Sequence, residues 1–105
     1  MQDFEFADNT EDHRYEMRQG GTPVAIAEYA YAPGVVKLIH TEVLPGNEGQ
    51  GLGGKIAKAV LADIGGKGLN VVPECSYMAG YIKKNADQYL QLVREEDRKM
   101  LDSVK

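Results

Sequence analysis

The sequence predicts an α+β fold, in which an antiparallel β-meander is followed by a β-α-β unit and C-terminal helices. Residues 2–44 consist of short segments with alternating or β-branched apolar residues, separated by turn-forming residues, which is typical of paired strands. From Gln50 the apolar residues recur at helical spacing. A short apolar segment at 69–72 follows a run of glycines, which predicts a strand after the helix.

Four strands are predicted in the first half of the chain, at residues 2–7, 13–19, 24–31 and 35–44. Turn-forming residues separate them at 9–12, 20–23 and 32–34. The fourth segment is β-branched and largely apolar, so we expect it to be a central strand. The first half is therefore predicted to be an antiparallel meander.

The second half begins with a predicted helix at 50–64. Its apolar stripe is Leu52, Ile56, Ala59, Val60 and Ile64. The glycine-rich residues 65–68 are expected to end this helix. The strand at 69–72 is expected to stop at Pro73 and to lie parallel to the fourth strand, because a helix connects the two through a right-handed crossover.

The C-terminal third is predicted to be helical. A helix is expected at 75–84 despite Gly80, and a short helix at 85–93 with Leu90 and Val93 turned inward. Residues 94–105 are charged, which predicts a solvated extension of the last helix or a frayed tail.

The length of 105 residues fits one domain. We divide the domain 1–105 into the meander 1–44, a second half at 45–93 and the charged extension 94–105. A chain this short buries a smaller fraction of its surface than a longer one. A homodimer that covers the remaining apolar surface is therefore one expectation.

Composition excludes several classes of protein. The formal net charge of −4 argues against nucleic acid as a partner, since binding to phosphate backbones needs a basic surface. We expect no membrane partner, because no stretch approaches the length of an apolar span and the first residues lack the features of a signal peptide. The single cysteine excludes an intramolecular disulfide and a cysteine-rich zinc site. A cytoplasmic location and no bound metal are the resulting expectations.

A glycine-rich loop between the fourth strand and the first helix is the most informative segment. Five of the twelve glycines of the chain lie between residues 46 and 54. Glycine lets a ligand approach the backbone closely, and a helix N-terminus offers unpaired N–H groups and the positive end of a dipole. The segment therefore predicts a site for a phosphate or pyrophosphate group.

Two common nucleotide motifs fit this loop poorly. The spacing from Gly49 to Lys55 matches a P-loop, but Ile56 stands where that motif needs a serine or threonine for magnesium. A dinucleotide-binding fold needs a larger architecture, with an acidic residue after the next strand.

The segment resembles motif A of the GCN5-related N-acetyltransferases. Residues Gln50-Gly51-Leu52-Gly53 match its second half, and Glu48 stands where the family usually has arginine or glutamine. Further segments are similar to those of short acetyltransferase-like proteins of the YjdJ type. These segments are His40-Thr41-Glu42-Val43, Val72-Pro73-Glu74-Cys75, Tyr81-Ile82 and Tyr89-Leu90-Gln91-Leu92, so that the resemblance covers residues 15–93.

The resemblance implies a minimal acetyltransferase fold that binds acetyl-coenzyme A. The pyrophosphate would lie on the amides of residues 49–54, and the pantetheine would lie between the strand ending at Val43 and the strand 69–72. The implied cofactor-binding residues are Val43, Glu48, Gly49, Gln50, Gly51, Leu52, Gly53, Gly54, Lys55 and Asn85. Asn85 is also a candidate helix cap.

Four residues are candidates for catalysis, each with a structural alternative. Cys75 lies at a predicted helix start, which favours the thiolate, so it is a candidate nucleophile or acetyl acceptor as well as a small buried residue. His40 is a candidate base, and Glu42, on the same face of the strand, would orient or replace it. Tyr81, or Tyr77 one turn earlier, would protonate the departing thiolate, as a tyrosine does in many members of the family; the alternative for both is packing in the core.

The resemblance favours an N-acetyltransferase that acts on an amine of a small molecule or a protein. Two other classes of function stay open at this point. One is a coenzyme A-binding module without turnover, and the other is an assembly component, such as part of a toxin–antitoxin pair, that uses the fold as a scaffold. Glu48 in the first motif position favours the binding module, whereas Cys75 favours the enzyme.

Overall fold

The computed structural model describes residues 3–102 and has the predicted α+β architecture. The strands are β1 (Glu5–Asn9), β2 (Arg14–Gln19), β3 (Thr22–Ala32), β4 (Val35–Val43) and β5 (Asn70–Pro73). The helices are α1 (Leu52–Gly66), α2 (Ser76–Lys84), α3 (Ala86–Tyr89) and α4 (Lys99–Asp102), with 3₁₀ turns at Leu90–Leu92 and Glu95–Asp97. The sheet has the sequential order β1-β2-β3-β4-β5. Its first four strands are antiparallel, and β5 lies parallel to β4, as predicted.

The core lies between one face of the sheet and the helices. Helix α1 contributes Ile56, Val60 and Ile64, which are fully buried, each adding about 1.5–3 kcal/mol of hydrophobic stabilisation. The sheet face beneath them contributes Tyr15, Met17, Ala25, Ala27, Tyr29, Val36, Leu38 and Val71. Helix α2 lies beside α1, with the side chain of Tyr77 over Gly53.

The C-terminal ends of α1 and β5 lie later in the chain than predicted, because neither the first glycines after residue 64 nor Pro73 ends its element. Helix α1 continues through Gly65 to Gly66, with Lys67 as its C-cap, and is followed by Gly68, which has a φ of 71°. The amide of Leu69 donates to the carbonyl of Ile64 at this end, which is a C-capping pattern that needs a left-handed residue. Pro73 belongs to β5 instead of following it, because an edge strand tolerates a missing N–H.

The N-terminal strand and the C-terminal tail also differ from the expectation. Strand β1 extends to Asn9, where the sequence predicts a turn, while residues 1–2 lie outside the described part of the chain. The prediction that 94–105 extends the last helix or frays is wrong for residues 94–102, and residues 103–105 lie outside the described part of the chain. Val93 is buried and extended, Arg94 binds Asp97 at 2.7 Å, and Leu101 is buried where α4 packs against α2.

No helix among residues 3–102 is both long and apolar enough to cross a membrane.

Candidate functional site

The glycine-rich loop places an uncapped helix N-terminus at the end of β4. Gly49 and Gly51 have positive φ values of 83° and 70°, which glycine adopts without strain. Gly51 is the N-cap of α1 and makes no side-chain hydrogen bond, and the first turn contains no acidic residue. The amide of Lys55 is the one that bonds back to the carbonyl of Gly51, at 3.2 Å. The amides of residues 52–54 therefore lie at the positive end of the helix dipole.

The glycines of this loop differ in whether the fold itself requires them. Gly51 is required by its left-handed backbone. A Cβ added to Gly53 would lie 2.6 Å from the Tyr77 hydroxyl, so the side chain of Tyr77 would have to move. Neither constraint applies to Gly54. Its φ is not positive, and an added Cβ would have no described protein atom within 4 Å. The same is true of Gly66 at the other end of α1, so the space beside Gly54 is distinguished by its place next to the uncapped first turn.

Two polar side chains of the loop, Glu48 and Gln50, differ in whether the protein itself provides a hydrogen-bond partner for their oxygen atoms. Glu48 accepts a hydrogen bond from the amide of Gly46 at 3.0 Å, so its carboxylate stabilises the loop itself. The buried Oε1 atom of Gln50 has no hydrogen-bond partner in the described structure. A buried acceptor without a partner costs about 1–3 kcal/mol. Gln50 therefore has an acceptor available for a bound molecule, and with the open amides it fits the coenzyme that the resemblance implies.

The sheet opens beside β4, immediately before this loop. Strand β5 pairs with residues 35–38 of β4 and ends there, with Pro73 opposite Leu38. The amide of Cys75 donates to the carbonyl of Leu38 at 2.8 Å and marks the top of the gap. Residues 39–43 of β4 continue beyond it, paired with β3 alone. The gap leads from Cys75 past the half-buried Val43 to the glycine-rich loop.

A β-bulge in β4 places the catalytic candidates on two different faces of the sheet. Glu28 lies opposite His40 and Tyr29 lies opposite Leu38, so Ile39 is an extra residue in β4. Because side chains alternate along a strand, the extra residue reverses the face to which later residues point. Thr41 and Val43 consequently join the core face, whereas His40 and Glu42 lie on the opposite face.

Cys75 borders the gap on the core face. It is the N-cap of α2, as the sequence predicts, and it is 8% exposed. Its thiol donates a hydrogen bond to the hydroxyl of Thr41, with 3.4 Å between sulfur and oxygen. This buried thiol therefore has a partner within the protein.

His40 and Glu42 border the gap on the opposite face. The Nε2 atom of His40 lies 3.1 Å from Oε1 of Glu42, and both side chains are exposed. The predicted pairing on one face of the strand is thereby confirmed. Glu28 follows on the neighbouring strand, directly across from His40. A carboxylate bound to one ring nitrogen fixes the tautomer, which leaves the other nitrogen able to take a proton.

Tyr77 and Tyr81 line one groove on α2, as their spacing predicts. The groove has a volume of about 300 Å³ and is lined by Ser76, Tyr77, Gly80, Tyr81 and Lys84. The ring of Tyr81 packs against that of Tyr89 with 5.7 Å between centroids. Burial, followed by a hydrogen bond with Tyr89, raises the pKa of Tyr81, so its hydroxyl stays protonated at neutral pH.

Two predicted cofactor contacts, Asn85 and Lys55, contact other parts of the protein in the structure. Asn85 caps α2, with its Nδ2 donating to the carbonyl of Tyr81 at 2.9 Å, at the end of α2 away from Tyr77. Lys55 lines a separate cavity with Phe4 and Met17. Its place on α1 follows from helical spacing, which turns it away from the buried stripe.

Sequence reasoning did not find Thr41, the extra residue Ile39, or the contact between Tyr77 and Gly53. The strand pairing that creates the bulge gives no local signal. Lys84 lies on the same side of α2 as Tyr77 and Tyr81, so helical periodicity contained a signal for it.

Comparison with known families agrees with this arrangement. The family model described as GCN5-related N-acetyl-transferase matches residues 14–93. Comparison with curated proteins gave no match. The matched range includes the meander from β2 onward, the glycine-rich loop, the gap and the groove on α2. The chain therefore belongs to the GCN5-related N-acetyltransferase family.

Proposed function

We propose that this protein transfers an acetyl group from acetyl-coenzyme A to a primary amine, and that it is one of the short members of the family, of the YjdJ type. The observation that carries the proposal is the open N-terminus of α1, where Gly51 provides no side-chain cap and a Cβ added to Gly54 would meet no described protein atom within 4 Å. Acetyl-coenzyme A supplies an activated acetyl thioester when it is bound.

The binding residues follow from the geometry of the loop. In the proposed complex the amides of residues 49–54 hold the pyrophosphate, since this segment leads into the positive end of α1. Gln50 offers its unpartnered oxygen to an N–H group of the pantetheine arm. The exposed edge of β4 from Ile39 to Val43 offers backbone groups along the gap.

The chemistry we propose is direct transfer to the amine. His40, held by Glu42, removes a proton from the amine, because it is exposed beside the gap and has one ring nitrogen free of Glu42. The neighbouring carboxylates of Glu28 and Glu42 favour a positively charged amine on this face. Tyr81 stays protonated and is the candidate donor to the thiolate that leaves.

A matched pair of variants tests the proposal. Gly54→Ala and Gly66→Ala make the same change at opposite ends of α1, and an added Cβ meets no described protein atom within 4 Å at either position. We expect Gly54→Ala to weaken coenzyme A binding at least about tenfold, or 1.4 kcal/mol, and Gly66→Ala to leave it unchanged. Calorimetric titration measures both affinities, and release of free thiol from acetyl-coenzyme A in the presence of primary amines measures transfer.

Two results would contradict the proposal. Equal affinities in wild type and Gly54→Ala would show that the loop is only a turn. Binding without thiol release for any primary amine would leave a coenzyme A-binding module in place of an enzyme. Gly51→Val is a poorer probe, since the left-handed backbone of Gly51 makes any branched side chain costly.

A further inference from the structure

A second cavity lies between α1 and the first strands of the sheet, and the proposed acetyl transfer assigns it no role. Its volume is about 500 Å³. It is lined by Phe4, Met17, Lys55, Lys58, Ala59 and Ala62. Sites for small molecules have volumes of about 300–1,000 Å³ and combine apolar walls with a few polar groups. The size and lining of this lysine-rimmed cavity match those of a ligand site.

The walls of the lysine-rimmed cavity are apolar and continuous with the core. Met17 is buried, and Phe4 and Ala59 are half-buried and pack against the core. Ala59 and Ala62 lie one turn apart on α1 and carry only a methyl group each, whereas the buried stripe of the helix carries larger side chains such as Ile56. Because small side chains line this side of α1, the space above Met17 stays open.

Two lysines at the rim of the cavity have no carboxylate partner in the described part of the chain. Neither Lys55 nor Lys58 pairs with an acidic side chain among residues 3–102, whereas Lys67 on the same helix pairs with Asp63 at 2.8 Å. Lys55 and Lys58 lie one turn apart, and like charges at this spacing repel each other. An anion between the two ammonium groups removes this repulsion. The rim is therefore complementary to a negatively charged head group.

The lysine-rimmed cavity is separate from the gap beside β4. Met17 pairs with Ala25, and Ala25 pairs with Val43, so these residues form one row across three strands. At about 4.8 Å between neighbouring strands, Met17 lies about 10 Å from Val43, which borders the gap. A molecule in the cavity therefore does not occupy the gap.

We infer that the lysine-rimmed cavity binds an amphipathic carboxylate, such as a medium-chain fatty acid, with its head group between Lys55 and Lys58 and its chain directed along α1 towards Ala62. Each lysine ammonium is a hydrogen-bond donor for one of the two carboxylate oxygens. The helix advances about 10 Å from Lys55 to Ala62, which suits a chain of the length of octanoate. The inference goes beyond the proposed function, because it concerns a different site and a molecule that the acetyl transfer does not use.

Nuclear magnetic resonance titration with octanoate tests the inference, because it locates binding residue by residue. We expect the backbone amide signals of Met17, Ala59 and Ala62 to shift in a saturable way, and those of the groove on α2 to stay unchanged. Octanol, which has the same chain without the charge, should bind about fivefold more weakly. Butanoate, which keeps the charge and loses half of the chain, should bind at least about tenfold more weakly.

Two variants and a matched control separate the chain from the head group. Ala59→Leu fills the cavity and should weaken octanoate binding at least about tenfold, while the thermal midpoint should not fall, because leucine is also a good helix former. Lys58→Gln should weaken octanoate binding about two- to fivefold and leave octanol binding unchanged. Lys99→Gln makes the same change in charge at an exposed residue of α4 and should alter neither.

The outcomes separate this inference from the proposed function. Shifts confined to residues 49–54 would place octanoate at the coenzyme site, and equal octanoate affinities in wild type, Ala59→Leu and Lys58→Gln would exclude the cavity. Shifts of Met17 and Ala59 on dilution of the ligand-free protein would show that a second copy of the chain covers the cavity. Each of these results would overturn the inference and leave the proposed function intact, whereas a failure of coenzyme A to bind would overturn the proposed function alone.

Discussion

The two ends of α1 differ in how their polar groups are satisfied. At the C-terminal end, Asp63 accepts a hydrogen bond from Tyr15 at 2.9 Å and pairs with Lys67 at 2.8 Å. At the N-terminal end, Gly51 provides no side-chain cap and the buried oxygen of Gln50 has no partner among residues 3–102.

The comparison of the two helix ends distinguishes polar groups that stabilise the fold from polar groups that are available to a ligand. Buried polar groups in proteins are almost always paired, so groups that are paired by the chain itself need no further explanation. The Tyr15–Asp63–Lys67 cluster joins β2 to the end of α1 and stabilises the fold. At the N-terminal end of the same helix, no described side chain caps the first turn. We therefore place the ligand at this end.

The largest expected effect comes from placing a negative charge at the open end. Gly54→Glu should weaken coenzyme A binding at least about 100-fold, because the carboxylate takes the place that we assign to pyrophosphate. Gly54→Gln, of equal size and neutral, should weaken it less. Neither variant should lower the thermal midpoint, since both residues favour a helix over glycine. Titration and thermal unfolding measure the two effects. Unchanged coenzyme A binding in Gly54→Glu would contradict the conclusion that the ligand binds at the N-terminal end of α1.

The second effect concerns Glu16, a buried carboxylate whose two oxygen atoms both accept hydrogen bonds from side chains of the protein. Burial alone raises the pKa of Glu16, but hydrogen bonds from Asn9, Arg14 and Arg18 outweigh it and lower the pKa from 4.5 to about 2. The carboxylate therefore contributes stability above pH 4.5, and this contribution is lost as the pH falls towards about 2. Glu16→Gln should lower the free energy of unfolding by about 2 kcal/mol at neutral pH, as for hydrogen bonds to a charged group.

Denaturant unfolding of wild type and Glu16→Gln between pH 7 and pH 2 checks this prediction. The difference in stability between them should shrink in the acidic range, while coenzyme A affinity at neutral pH should be equal. A constant difference across the whole range would show that the carboxylate has no special role.

A smaller effect is expected at the closed end of α1. Tyr15→Phe removes the hydrogen bond to Asp63 and keeps the buried ring. It should lower the free energy of unfolding by about 1 kcal/mol and leave coenzyme A affinity unchanged. Denaturant unfolding and titration measure the two quantities; weaker binding in Tyr15→Phe would mean that the two ends are coupled.

The smallest effect is expected for Cys75. Its thiol is paired with Thr41 in the same way that Tyr15 is paired with Asp63, so we expect it to be structural. Cys75→Ala should keep the rate of amine acetylation within about threefold, since a group without a catalytic role leaves the barrier almost unchanged. Mass spectrometry after incubation with acetyl-coenzyme A should show no acetyl group on Cys75, and a stable acetyl-cysteine would establish the alternative route through this thiol.

The strands, the helices and the glycine-rich loop could be predicted from the sequence because their signals are local. Hydrophobic period distinguishes the meander from α1, and residue spacing places Tyr77 and Tyr81 on one side of α2. The anion site that we propose follows from glycine and helix-end chemistry within residues 49–54. His40 and Glu42 were also paired correctly, since two residues on alternate positions of a strand share a face.

Only the tertiary structure decided how these parts meet. The pairing of β3 with β4 makes Ile39 an extra residue, which separates His40 and Glu42 from Thr41 and Cys75 by the thickness of the sheet. Packing of α2 beside α1 decided that Gly53 accommodates Tyr77 while Gly54 faces open space. Strand register and helix packing depend on residues distant in the chain, so a local pattern determines which groups are present but not which of them remain without a partner.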